Sequence, residues 1–340
     1  MKLGLFLIVG FAPLYIISFI NFFVDPYEIL QTNFLSKAGF VQERFYKINY
    51  LKNNNFEEII IGSSRAGTIN TENLNKYFNR NIYNFYISSG NINEFEYIIN
   101  WIPNNLPTIK TVYIQVDWPE NFGLFQNQLF YELHPDIIKK STFEFYKNYL
   151  FSFNIDAILF KIKKNYFNNN NWDINLKSGY YSFPLRDVEI KNNCLNYQEK
   201  YEYFKNPNII KQKNQKELNL KTLESIRRIK EFGQNNNLNI VFFTTPHNHK
   251  YLDSIDTELF ISFINEFSKI TPFVNFSFYN KMTLNNCNYY ETSHYTNQIS
   301  LQIFKSLFST NNDSYSRKIS SLNIKEEKKF LIKNFYENQK

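Results

Sequence analysis

The chain predicts an α/β fold: a three-layer, doubly wound and mainly parallel sheet, with an N-terminal transmembrane helix and an insertion. Three observations carry this expectation: short β-branched and aromatic runs alternate with segments of helical apolar spacing, the first strand candidate, "EEIII", is a short continuous apolar run, and an uncharged block opens the chain. Strands without polar alternation suit a parallel sheet covered on both faces, and strand–helix alternation implies βαβ units. With 340 residues, 36 Phe and 25 Tyr, the chain has apolar bulk for one large domain with appendages, which excludes disorder throughout.

From Leu3 to Val24 there is no charged residue. As a helix this stretch reaches about 33 Å, enough for a hydrocarbon core of about 30 Å. The block is longer than the apolar part of a usual signal peptide and no A-x-A-like site follows, so residues 1–25 read as an uncleaved signal anchor that ends at Asp25-Pro26. Lys2 favours an inside amino terminus, a bias that Lys37 and Arg44 weaken. The main domain is expected to be extracytoplasmic, at the periplasmic or cell-surface side of a single-pass membrane protein.

After a connecting segment, "EEIII", "NIYNFYI" and "TVYIQV" read as strands, and "INEFEYIINWI" reads as a helix before the third of them. Later "LKTLESIRRIKEFGQNN" and "TELFISFINEFSKI" read as helices flanking the strand "NIVFFTT". The rhythm breaks between about 119 and 207, where an asparagine run and "SGYYSFPLRD" signal an inserted lid or partner surface. The body is thus expected over 26–310, with 311–340 as a basic tail that reads as a solvated terminal helix, a frayed end or a binding segment.

Cys194 and Cys287 show no metal-ligand spacing, and both a disulfide and two unpaired thiols fit an exported domain. The net charge of +7 is scattered and accompanies no nucleic-acid-binding module, so a membrane surface or acidic glycan suits it better. No cofactor or metal is expected. His247 and His249 form an H-x-H without a companion carboxylate or cysteine, which favours a structural or substrate-lining role, and His134 lies in the insertion.

The chemistry rests on two distant pieces. In "IIIGSSRA", Ser64 follows an apolar strand, where groups collect beyond the carboxyl ends of a parallel sheet. A serine hydroxyl needs a base, and the base needs an orienting acceptor. "ETSHYT" offers both: His294, with Glu291 three positions earlier to fix its tautomer. Each residue also has a plainer reading: Ser64 as a helix cap, Glu291 as a solvated carboxylate, His294 as a ring bonded to backbone, and Arg65 as either a partner of a structural carboxylate or an anion binder.

Together "IIIGSSRA" and "ETSHYT" resemble the first and last blocks of the SGNH (GDSL) serine hydrolases. The opening apolar segment, "DPY", "RFYK" and "GSSRA" look more closely like the membrane-anchored subgroup that works beside membrane-bound O-acyltransferases, as in D-alanylation of lipoteichoic acid or alginate acetylation. The resemblance implies an α/β/α fold, Ser64 as nucleophile, His294 as base and Glu291 in place of the usual Asp. In the second block Ser89 or Gly90 would supply an oxyanion N–H. In the third, Asp117 replaces the family's asparagine donor, and Asn91 or Asn121 would have to substitute.

Three functions follow: serine acyltransfer or ester hydrolysis on an envelope or secreted glycan, a non-catalytic accessory that docks an O-acyltransferase or its polymer, and a lipase or esterase on small or lipid esters. Implied partners are the glycan acceptor, an O-acyltransferase and the membrane itself; nucleic acid is not among them.

Overall fold

Helix α1 (Lys2–Val24) opens the smaller of two compact units, which comprises residues 1–53 and 125–174; the larger comprises residues 54–124 and 175–340. The computed structural model describes residues 2–32, 34–35, 42–118, 133–167, 172–201, 204 and 215–339, with side chains from residue 12 onward.

The smaller unit adds α2 (Glu43–Lys52) and the pair α5 (Thr142–Phe151) and α6 (Ile155–Tyr166). Helix α1 stops where Asp25 turns to a φ of 44°, its N–H donating to Asn21 O at 3.0 Å. The buried Asp25 carboxylate then accepts the N–H groups of Ile29, Leu30 and Gln31 at 2.9, 3.2 and 2.7 Å and the Tyr149 hydroxyl at 2.7 Å. Around this hub Ile29, Phe45 and Tyr149 form a core, with Tyr27, Leu30, Phe145 and Tyr146 against it. His134 belongs here: it caps a short helical turn by accepting the Asp136 N–H at 3.1 Å and packs tilted against Phe45, with ring centroids 4.4 Å apart. Among the described residues no helix is long and apolar enough to cross a membrane, and the side chains of residues 1–11, part of the expected span, lie outside them.

The larger unit is a mixed α/β body with helices on both sides of a mostly parallel sheet. Its sheet strands are β1 (Glu58–Gly62), β2 (Ile82–Tyr86), β3 (Thr111–Val116), β4 (Asn239–Thr244), β5 (Phe273–Asn275) and β6 (Arg317–Ile319). They lie in the spatial order β2-β1-β3-β4-β5-β6, all parallel except β6, which runs antiparallel to β5. Strands β1 and β2 are buried along their whole length, Glu58 and Asn84 included, as expected of a parallel sheet covered on both faces. Helices α4 (Ile92–Asn105), α8 (Gln215–Asn235), α9 (Thr257–Ile270) and α11 (Ile324–Asn338) pack in succession, and α3 (Thr71–Phe78) packs with α10 (Ser300–Phe308).

Two sequence boundaries are corrected. Residues 311–340 are not a solvated tail: they supply the edge strand β6 and helix α11, which buries Leu331 and Phe335. The expected insertion is divided, since residues 125–174 group with the amino-terminal segment, whereas α7 (Pro184–Lys200, kinked at Asn193) belongs to the larger unit. The cysteines are paired: Cys194 on α7 is joined to Cys287, with Cα atoms 5.6 Å apart.

Candidate active site

The chain leaves β1 for β2 on one side and later returns to β3 on the other, so the crevice beyond Gly62 is the switch point at which open α/β sheets bind ligands. Register then decides which side chains meet there. Pairing of Ile61 with Ile114 and of Val116 with Thr244 brings Ser63, Asp117 and Thr245 to one rim. Gly62 is required for the approach: a Cβ on it would lie 2.6 Å from Ala66 Cβ and 2.8 Å from Gln115 Cβ.

The two serines divide their roles. The Ser63 hydroxyl donates to Asp117 Oδ2, and the Thr245 hydroxyl donates to Oδ1 of the same carboxylate. Arg65 Nη1 lies 3.3 Å from Asp117 Oδ1, with both side chains buried. Burial would raise the Asp117 carboxyl, but the Arg65 charge and then the two hydroxyls outweigh it and hold it below the ordinary carboxylate value. Asp117 is therefore the hub of a compensated network, and of the two readings of Arg65 the structural one describes its contact. The guanidinium also lies 5.5 Å from the Tyr251 ring centroid.

Ser64 points elsewhere, with its hydroxyl 2.8 Å from His294 Nε2. Its carbonyl accepts the Gly67 N–H at 3.0 Å and the Tyr181 hydroxyl at 2.8 Å. Ser64 is not a helix cap: one 3-10 turn, Ala66–Thr68, follows it, and α3 is capped by Asn70, whose side chain accepts the Asn73 N–H at 3.0 Å.

His294 reaches Ser64 from a loop folded back on itself. Tyr289 and Tyr295 pair across it, the Tyr290 N–H donates to His294 O at 2.9 Å, and the Thr296 N–H donates to Asn288 O at 2.7 Å. This closure puts the Glu291 carboxylate on His294 Nδ1. The Ser293 N–H and hydroxyl donate to the same carboxylate, each at 2.9 Å. Burial alone would push Glu291 up; the hydrogen-bonded His294 ring, followed by Ser293, brings it down to about 2. An ionised Glu291 can only accept, so it selects the Nδ1–H tautomer and leaves Nε2 free to take the Ser64 proton.

The distant pieces are tied by contacts that sequence reading missed. Asn297 Nδ2 donates to the carbonyls of Thr68 and Tyr181 at 2.6 and 2.9 Å, and the Ser300 hydroxyl donates to Thr68 O at 3.2 Å. On the other flank, the Tyr197 hydroxyl donates to Tyr290 O at 2.8 Å, close to the Cys194–Cys287 bond. "TNQIS" and "SGYYSF" contain the right donors, but nothing in either segment names its partner.

The candidate oxyanion groups fare unequally. The Gly90 N–H closes a turn onto Ile87 O at 2.9 Å, and Asn91 Oδ1 caps α4 by accepting the N–H groups of Asn93 and Glu94, so Gly90 is withdrawn as a donor. Ser89 adopts a φ of 54° in that turn. The N–H groups of Ser64 and Ser89 have no protein acceptor among the described residues. Asn121 lies outside the described residues.

His247 stacks on Tyr251 with ring centroids 4.3 Å apart, and burial, reinforced by the Arg65 charge, holds its ring neutral. His249 sits 3.8 Å from Asp253. Among the described residues no group of three or more His, Cys, Asp or Glu is placed to hold a metal ion. No family model, curated protein or solved structure matches this chain.

Proposed function

We propose that the protein is a membrane-anchored, extracytoplasmic serine acyltransferase or esterase of SGNH-like type that acts in O-acylation of a cell-envelope or secreted glycan. The observation that carries this reading is the relay Ser64 Oγ to His294 Nε2, at 2.8 Å, with ionised Glu291 on Nδ1. The Cys194–Cys287 bond suits an oxidising compartment, and α1 is the element assigned as the anchor.

In the first half-reaction Ser64 Oγ bonds to the ester carbonyl carbon while its proton passes to His294 Nε2. The carbonyl oxygen becomes an oxyanion, for which the N–H groups of Ser64 and Ser89 are the candidate donors. Collapse breaks the ester C–O bond, and the leaving alkoxide takes the proton from His294. A sugar hydroxyl or water then gives its proton to His294 and attacks the acyl carbon; the Ser64 Oγ–acyl bond breaks, and Oγ takes that proton from His294, which restores both groups. Glu291 stabilises the imidazolium in both halves, while the Asp117 charge is already compensated by Arg65.

Asp117 supplies no donor where the SGNH family has asparagine, and this observation favours the second reading, a non-catalytic accessory that docks an O-acyltransferase or its polymer. A fluorophosphonate probe separates the two. Wild-type protein should be labelled covalently and Ser64→Ala should not, with glycan acylation lost and membrane association kept; an unreactive, folded wild type refutes the enzyme and leaves the accessory.

A further inference from the structure

Helix α6 turns two lysines inward and a series of apolar residues outward, with Asp156 and Lys163 also exposed. Its buried side carries Ala157, Ile158, Lys161 and Lys164, whereas Ile155, Leu159 and Tyr166 stand 48%, 41% and 73% exposed. Positions 155, 159, 162 and 166 follow helical spacing, so the outward residues form one stripe. Lys161 turns inward because its ammonium donates to Asp25 O at 2.8 Å and pairs with Glu28 at 2.8 Å. A helix facing water would present the lysines and bury the apolar stripe.

The preceding helix in the chain also carries outward aromatic residues, although it buries only Tyr149 and exposes Glu144 and Lys147 as well. On α5 Phe143 and Phe151 are 77% and 44% exposed, and Phe153 in the connection is 57% exposed. Single exposed apolar residues are ordinary, but a series of this kind marks an interaction face. Its covering is indicated by what it adjoins. Helix α5 packs on α1, and Asn21 near the end of α1 donates through Nδ2 to the carbonyls of Tyr149 and Leu150 at 3.1 and 3.0 Å. Helix α1 in turn exposes Tyr15, Ile16, Phe19 and Phe22. Exposed Lys147 and Lys163 lie four positions along from Phe143 and Leu159, where their stems can cover apolar neighbours while the ammonium groups reach lipid phosphates.

We propose that α5, α6 and Phe153 form an interfacial platform, seated among the headgroups and upper acyl chains of the bilayer at the end of α1. The placement of α1 rests on the membrane-anchored reading above; immersion of α5 and α6 is a separate claim, and neither depends on Ser64 reactivity.

The test uses full-length protein in vesicles of phosphatidylcholine and phosphatidylglycerol. Phe143→Cys and Leu159→Cys, each labelled with a fluorophore while Cys194–Cys287 stays oxidised, replace exposed side chains and leave the core intact. Both labels should lose emission when lipids carry a nitroxide on the upper acyl chain and be protected from aqueous iodide. Quenching by iodide but not by the nitroxide lipid overturns the platform while the anchor stands. Protection from both quenchers means that protein covers the face, which overturns it too. Protein that fails to float with the vesicles overturns platform and anchor together.

Discussion

Replacing Glu291 by glutamine keeps the shape of the site and removes the charge that orients His294. The size of the effect follows from the electrostatics of the pair. The Glu291 carboxyl lies at about 2 against an ordinary 4.5, and the interaction with His294 heads the causes that lower it. That difference corresponds to about 3 kcal/mol of preference for the ionised carboxylate beside the ring. Because the proposed attack by Ser64 forms the imidazolium, loss of this preference should slow attack by roughly 10²- to 10³-fold. Glutamine can also present its amide N–H to Nδ1 and so favour the wrong tautomer, which adds to the loss. The assay is the second-order rate of fluorophosphonate labelling, which reads the nucleophile without knowledge of the natural acyl donor, together with near-ultraviolet circular dichroism to show that the fold is kept. Labelling of Glu291→Gln at the wild-type rate would refute the relay.

Further expectations concern the frame around the site. Asp117→Asn leaves Arg65 buried without its counter-charge and should cost about 3–5 kcal/mol in urea unfolding, whereas pairing it with Arg65→Met should recover much of the loss. Reduction of Cys194–Cys287, which are 93 positions apart, releases a long loop; unfolding free energy should fall by about 2–5 kcal/mol, and labelling of Ser64 should slow as the Glu291 loop loses its brace. Glu291 has a depressed carboxyl, so its contribution to stability is complete above about 4.5 and is lost as pH falls toward about 2. Unfolding curves between those limits should therefore be flatter for Glu291→Gln than for the wild type.

Elements with a strong local signature were legible in the sequence. "TVYIQV" and "TELFISFINEFSKI" coincide with β3 and α9 to the residue, because a short run rich in β-branched and aromatic residues favours a strand and an apolar spacing of three to four favours a helix. The strands β5 and β6 have three residues each and carry Asn, Arg and Lys, too short and too polar to stand out; only pairing with a neighbour makes them strands. The same limit applies at the site. Residue types identified Ser64, His294 and Glu291, but the contacts of Tyr181, Asn297 and Arg65 with their partners depend on register and loop closure, which local sequence does not encode. Grouping of residues 125–174 with the amino-terminal segment is likewise a matter of distant contacts, and the inward lysines of α6 contradict what its composition alone would suggest.

The Ser64–His294 pair spans 230 positions of chain. A polypeptide emerging amino terminus first therefore exposes its serine long before its base has been made, and throughout that interval the hydroxyl is an ordinary, unreactive alcohol. Only docking of Asn297 and Ser300 onto Thr68 brings the imidazole home. On the proposed reading, folding is therefore the activation step, and the serine stays latent until the two ends of the chain have met.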